Sequence, residues 1–203
     1  NCEKNFDIAN NINHLFPEQI SKYAKKNSIK LVHISTDQLF DGKKENYTEA
    51  DDYSPLNNYA YTKMMAEKKI LSNNSDSLII RTNFFCKGLR HRSTLSDFIL
   101  SSCKNKLEIS LFNDVMYNPV NVSELINLIN LLLIKNASGI FNVCSNEVIS
   151  KYDFGIILAK KMNIKNYFIK SELKNSKLIA ERPLNMSLLN DKLLNFLNIK
   201  IPH

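Results

Sequence analysis

Apolar positions along the chain fall into short continuous runs separated by longer amphipathic stretches. "KLVHIS" from Lys30, "SLIIRT" from Ser77, "LEISLF" from Leu107 and "GIFNVCS" from Gly139 read as short strands, rich in β-branched residues and bounded by polar ones. Helical spacing occupies the intervals. "PEQISKYAKKN" starts with Pro17 at a first-turn position and places Ile20, Tyr23 and Ala24 on one side. Further helices are expected from about Asn57 to Leu71, around Leu95 to Cys103, and from about Val122. Ser150 is suited to N-cap "SKYDFGIILAKKM", "YFIKSEL" follows, and Ser187 is suited to cap a last short helix. This alternation predicts an α/β fold, a parallel sheet covered by helices.

A chain of 203 residues, 44% hydrophobic and 23% charged, can bury the core of one sizeable domain, or of one domain and a small lobe. Its strongest apolar run, "LINLINLLLI" from Leu125, is broken by Asn127 and Asn130, so no membrane span is expected. The opening "NCEKNFDIANNIN" has neither an initiator Met nor the layout of a secretory signal and reads as interior sequence. Cys2, Cys86, Cys103 and Cys144 stand far apart, with no His at ligand spacing. That pattern argues against a structural zinc or a secreted disulfide framework and for a reducing, cytoplasmic setting.

The net charge of +7 changes the picture less than its size suggests. Lysines are spread among acids and asparagines, arginine is scarce, and no basic stripe alternates with aromatics. A solvated basic face that favours a small anionic ligand is expected, not a nucleic-acid surface. Glycine is informative by its scarcity. Gly42, Gly88, Gly139 and Gly155 form no G-x-G-x-x-G turn, so a dinucleotide-binding fold would have its phosphate-binding turn outside this sequence.

The candidate chemistry sits in "VHISTDQLFDGKKENYTEADDYSPLNNYAYTKMMAEKKI", Val32 to Ile70. Tyr59 and Lys63 are four apart and share a helical face, although a chain with so many lysines yields such a pair about once by accident. Context gives it meaning. The strand "LVHI" ends in "STD", which brings Thr36 to the carboxyl edge of a parallel sheet, where open α/β folds bind ligands. A hydroxyl, a phenol and an ammonium can converge there. The plain alternative is a strand-end hydroxyl, a packing tyrosine and a solvated lysine.

"STDQLFDG", "EADDYSPLNNYAYTKMMAEK", "IIRTNFF", "YNPVNVSEL", "GIFNVCSNEVISKYDFG" and "RPLNMSL" together resemble the extended short-chain dehydrogenase/reductases, and most closely their dTDP-4-dehydrorhamnose reductase branch. The resemblance runs over nearly the whole chain. It implies a partial Rossmann-type doubly wound sheet, with residues 1–112 forming the later part of an NAD(P)-binding domain. Residues 113–203 would form mainly a small substrate lobe, some segments returning to the sheet. The Gly-rich half would be absent.

By the same resemblance, Thr36, Tyr59 and Lys63 are catalytic. Asn13, Ser35, Tyr59, Lys63, Arg81, Thr82 and Asn83 meet an NADP or NAD cofactor, and Asp37, Gln38 and Arg182 meet a sugar-nucleotide substrate. No metal is implied, and a homodimer is allowed. The chemistry is coherent: a free phenol has a pKa of about 10, and an adjacent ammonium lowers it towards useful proton transfer. Gln38 departs from the pattern. Related dehydratases resemble "STDE", and an amide cannot act as their base, which disfavours dehydration. A sugar-nucleotide epimerase, or a dinucleotide-binding regulatory subunit resembling the methionine adenosyltransferase β subunit, stands as the alternative reading.

Overall fold

The computed structural model describes residues 2–88 and 93–199. The amino-terminal helical segment is continuous from Phe6 to Lys26, with α1 (Phe6–Asn10) and α2 (Phe16–Lys26) joined by a π-helical turn at Asn11–Leu15. Strand β1 (Val32–Ile34) follows, then a long polar loop and helix α3 (Asn58–Asn73). Next come β2 (Leu78–Arg81), β3 (Phe84–Phe85) and α4 (Leu95–Lys104). The second half contains β4 (Ile109–Phe112), β5 (Met116–Tyr117), β6 (Val120–Asn121) and α5 (Val122–Ile134). After β7 (Gly139–Asn142), β8 (Ile149–Ser150) and α6 (Lys151–Lys161) come β9 (Phe168–Ser171) and α7 (Asp191–Leu197).

The central sheet is parallel, in the order β1-β2-β7, with Ile34 opposite Ile80 and Ile80 opposite Phe141. Helices cover both faces, which is why β2 is apolar without alternation. Leu78 and Ile80 turn to one side and pack with Phe141, Leu128 and Leu132 of α5 and Leu193 of α7. Ile79 turns to the other, against Ala66 and Ile70 of α3. Arg81 falls on the α3 face by the same period-two rule. A second core, including Ile99, Leu111, Tyr117 and Phe154, joins α4 and α6 to the parallel pair β4 and β9. Among the described residues, no helix is long and apolar enough to cross a membrane.

Two local expectations are corrected. Ile20 and Tyr23 of α2 are 38% and 62% exposed, while Ser21 and Ala24 are buried. Small side chains let α2 lie close to α3 and turn the bulky ones outward. Ser187 caps no helix. Its hydroxyl accepts the Asn46 N–H at 2.8 Å, and α7 starts later, after Asn190. Ser150 does cap α6, accepting the Asp153 N–H at 3.0 Å.

The polar loop after β1 is held by the carboxyl-terminal segment. Tyr47 donates its N–H to Ser187 O at 2.9 Å, and the Leu189 N–H returns to Tyr47 O at 2.9 Å. Gly42, at φ +73°, sits so close to Pro183 that a Cβ would fall 2.6 Å from the proline Cβ. Only glycine meets both demands. This contact seats "RPLNMSL" against "STDQLFDG", and so places Arg182 beside the carboxyl end of β1.

Candidate active site

Three elements meet at that end. Beyond β1, Ser35, Thr36 and Asp37 are all buried, at 6%, 5% and 2% exposure. Helix α3 begins beside them because Asn57 caps it, its side chain accepting the Ala60 N–H at 2.9 Å. The same Asn57 donates to Glu181 O at 2.8 Å, tying the Arg182 segment to the first turn of α3. Tyr59 lies in that turn. It lines a cleft of about 660 Å³ together with Gln38, Asn57 and Arg182.

Lys63, one turn further, is 8% exposed. Its Nζ donates to Ile34 O at 2.6 Å and lies 3.0 Å from His33 Nε2. Burial lowers its pKa to about 8, against the opposing attraction of Glu67. His33 is lowered further, to about 3, by burial first and then by the Lys63 charge. The imidazole is therefore neutral at working pH and accepts from the ammonium.

That arrangement has a stability consequence. Between about pH 6.5 and 3 the unfolded chain carries a proton on His33 that the folded chain refuses, so stability falls as pH falls through that window. Urea unfolding at pH 7 and pH 5 should show a loss of about 1–2 kcal/mol that His33→Gln removes. Equal losses in both proteins would show that the His33 imidazole titrates in the folded state as it does in water.

Asn13 lies in the π-helical turn and donates to Thr62 Oγ1 at 3.2 Å, while Thr62 donates to Tyr59 O at 2.9 Å. It braces the helix that carries both Tyr59 and Lys63. π-turns occur often at functional positions, but no compositional signal announces this one. Thr36 donates to Asp37 Oδ1 at 3.2 Å and accepts the Gln38 N–H at 3.3 Å, and it does not line the Tyr59 cleft. Asp37 accepts the Asn83 amide at 2.7 Å, and its pKa is raised by burial, which Lys151, Asn83 and Thr36 oppose.

Arg81 requires a correction. Its guanidinium is fully enclosed, donating to Glu67 at 2.9–3.3 Å and stacking over Tyr53 with its carbon 4.9 Å from the ring centroid. With its guanidinium committed to Glu67 and the Tyr53 ring, Arg81 locks β2 to α3 instead of reaching a cofactor. Its neighbours behave otherwise. Ser35 Oγ and Thr82 Oγ1, at the ends of adjacent parallel strands, are buried with no hydrogen-bond partner. Unsatisfied hydroxyls at a sheet's carboxyl edge fit the polar nicotinamide end of a dinucleotide. The four glycines supply no turn for its pyrophosphate.

Beyond the Tyr59 cleft, a chamber of about 360 Å³ shares Gln38 and Arg182 with it and adds Asn83, Lys151 and apolar walls from Phe98, Leu111 and Phe112. Arg182 makes no ion pair among the described residues, with its neighbour Glu181 or with any other acid. His33, Tyr117 and Lys151 escaped the sequence reading. His33 lay within the strand motif itself; the other two reach the site only through tertiary structure.

The parallel sheet and its two helical covers define a Rossmann-like fold, shared with dTDP-4-dehydrorhamnose reductase from Bacillus anthracis in complex with NADP. That structure is 25% identical with a TM-score of 0.92, over 99% of this chain and 71% of that one. The sequence pattern of the RmlD substrate binding domain matches residues 1–203, and the chain belongs to that family. Among curated relatives, the probable low-salt glycan biosynthesis reductase of Haloferax volcanii is 28% identical over 76% of this chain and 53% of its own length. Methionine adenosyltransferase 2 subunit beta from Rattus norvegicus is 26% identical over 90% of this chain and 57% of its own. The chain thus spans little more than half the length of these relatives.

Proposed function

We propose that the protein takes part in the NAD(P)H-dependent reduction of a 4-keto-6-deoxy sugar nucleotide, within the biosynthesis of a glycan or polysaccharide. The observation that carries this reading is the placement of Tyr59, on the wall of the cleft, one turn from a buried Lys63 that bonds the last residue of β1, with unpartnered hydroxyls on Ser35 and Thr82 at the ends of β1 and β2. The relatives named as reductases, and the NADP found in one of them, support it.

In this reading the nicotinamide cofactor supplies the hydride. Lys63, Ser35 and Thr82 hold its nicotinamide end, and Asn83 lies close by. Tyr59 protonates the oxygen of the carbonyl being reduced, and the ammonium of Lys63 favours that exchange because its field stabilises the phenolate left behind. Thr36 hydrogen-bonds the carbonyl after exchanging its bond to Asp37. Arg182 and Gln38, common to both cavities, hold the diphosphate and the sugar between them. Residues from 113 onward that do not join the central sheet make the substrate-facing lobe.

The test is NADPH oxidation by the protein in the presence of dTDP-4-dehydrorhamnose, followed by absorbance and paired with titration calorimetry of NADPH on the 203-residue chain. Reduction is expected of the chain joined to a Gly-rich dinucleotide-binding unit. The 203 residues alone should bind the dinucleotide far more weakly than micromolar, since the residues for its pyrophosphate are not among them. Micromolar binding by this chain would overturn the placement of the cofactor. A second reading, a dinucleotide-binding regulatory subunit, is favoured by the 90% coverage of this chain in the match to methionine adenosyltransferase 2 subunit beta. No turnover, with a change in a partner enzyme's kinetics, would select it.

A further inference from the structure

Lys151 has no part in the reading above, and its position in the fold is set by the backbone. It follows the N-cap Ser150, and its N–H donates to Val115 O at 3.1 Å, next to the antiparallel pairing of β8 with β5. This brings the first residue of α6 to the end of β1. The Lys151 Nζ rests 3.0 Å from the centroid of the Tyr117 ring. Burial lowers its pKa to about 8, the Asp37 carboxylate opposes that loss, and Arg182 adds to it by repulsion. Tyr117 itself is 2% exposed, and its hydroxyl has no partner.

Two cavities share the Lys151 side chain as a wall, the 360 Å³ chamber and a narrower one of about 100 Å³. Asn83 lines both as well, with its amide nitrogen committed to Asp37. Phe84, Phe85, Tyr117 and Phe154 give the smaller cavity an aromatic side, and Thr94, Leu95 and Ser96 complete it. A few polar groups against aromatic walls suit a sugar ring, whose C–H faces are apolar and whose hydroxyls need directed partners. The attraction of Asp37 offsets part of the charge on this ammonium, which suits a hydroxyl better than a dianion. The diphosphate is better served by Arg182.

We propose that Lys151 determines specificity in the sugar subsite, donating a hydrogen bond from its ammonium to a hexose hydroxyl next to the reacting carbonyl, while the Tyr117 ring fixes its position. This inference rests on the sugar-nucleotide reading above. Titration calorimetry of the protein with dTDP-rhamnose and with dTDP separates the two.

Lys151→Met should weaken dTDP-rhamnose about tenfold, as loss of one charge-assisted hydrogen bond does, and leave dTDP within about twofold. Lys151→Arg should restore most of the difference, and Lys151→Gln serves as the neutral variant if the methionine protein does not fold. An equal loss for both ligands would assign Lys151 to the diphosphate and overturn the inference. Unchanged binding of both in Lys151→Met would overturn it alone. A wild-type protein that binds neither ligand would overturn the sugar-nucleotide reading and this inference together.

Discussion

Tyr59→Phe is expected to lower the turnover of NADPH-dependent sugar-nucleotide reduction by about 10² to 10⁴, with little change in KM for either ligand. The substitution keeps the ring in the first turn of α3 and removes only the hydroxyl. Both the Asn57 cap and the Asn13–Thr62 brace would remain, because neither uses the phenol oxygen. The loss should therefore fall on the chemical step and leave binding nearly intact. Lys63→Ala should differ by raising KM for the cofactor as well, since in the proposed mechanism one ammonium would both stabilise the phenolate and hold the nicotinamide end. Steady-state kinetics over a range of cofactor concentrations separates the two patterns. A Tyr59→Phe protein with more than about a tenth of wild-type turnover would remove Tyr59 from the chemistry.

The sequence displayed these residues unequally, for physical reasons. Tyr59 and Lys63 were legible because a helix repeats its faces every three to four residues, and the strand-to-loop change at "STD" marked the sheet edge. Ser150 was legible as a cap because capping is a local act. Ser187 looked equally suitable, yet its hydroxyl went to Asn46, more than a hundred residues away in sequence. Lys151 and Tyr117 meet only when β5 pairs with β8, and nothing in a linear pattern reports that pairing. Arg81 was assigned to the cofactor because it neighbours Thr82 and Asn83 in "IIRTNFF". Alternation along β2 sends it to the α3 face instead, where Glu67 receives it. The parity of that strand was present in the sequence; the identity of the helix waiting on that side was not.

The ion pair that corrected Arg81 carries the largest expected effect on stability. Glu67 and Arg81 are both fully buried and joined through three N–H···O contacts. The Tyr53 hydroxyl donates to the same carboxylate at 2.8 Å, and burial followed by that negative charge pushes the Tyr53 pKa upward, so the phenol stays a donor. Removing only the acid leaves a guanidinium in the interior with no counter-charge. Glu67→Ala is accordingly expected to cost about 3–5 kcal/mol in urea unfolding, a large part of the 5–15 kcal/mol that holds a typical domain. Replacing both partners with apolar residues, Glu67→Leu with Arg81→Met, should cost much less than Glu67→Ala, because no charge is then stranded. Glu67 lies one turn beyond Lys63, so the pair also fixes how α3 presents Lys63 to the end of β1. The double variant separates these roles: recovered stability without recovered cofactor affinity would show that the charge pair sets the position of Lys63. A loss below about 1 kcal/mol in Glu67→Ala would mean that the Arg81 guanidinium finds other partners, such as Glu49 O now at 3.5 Å, and that the enclosure here is looser than its geometry indicates.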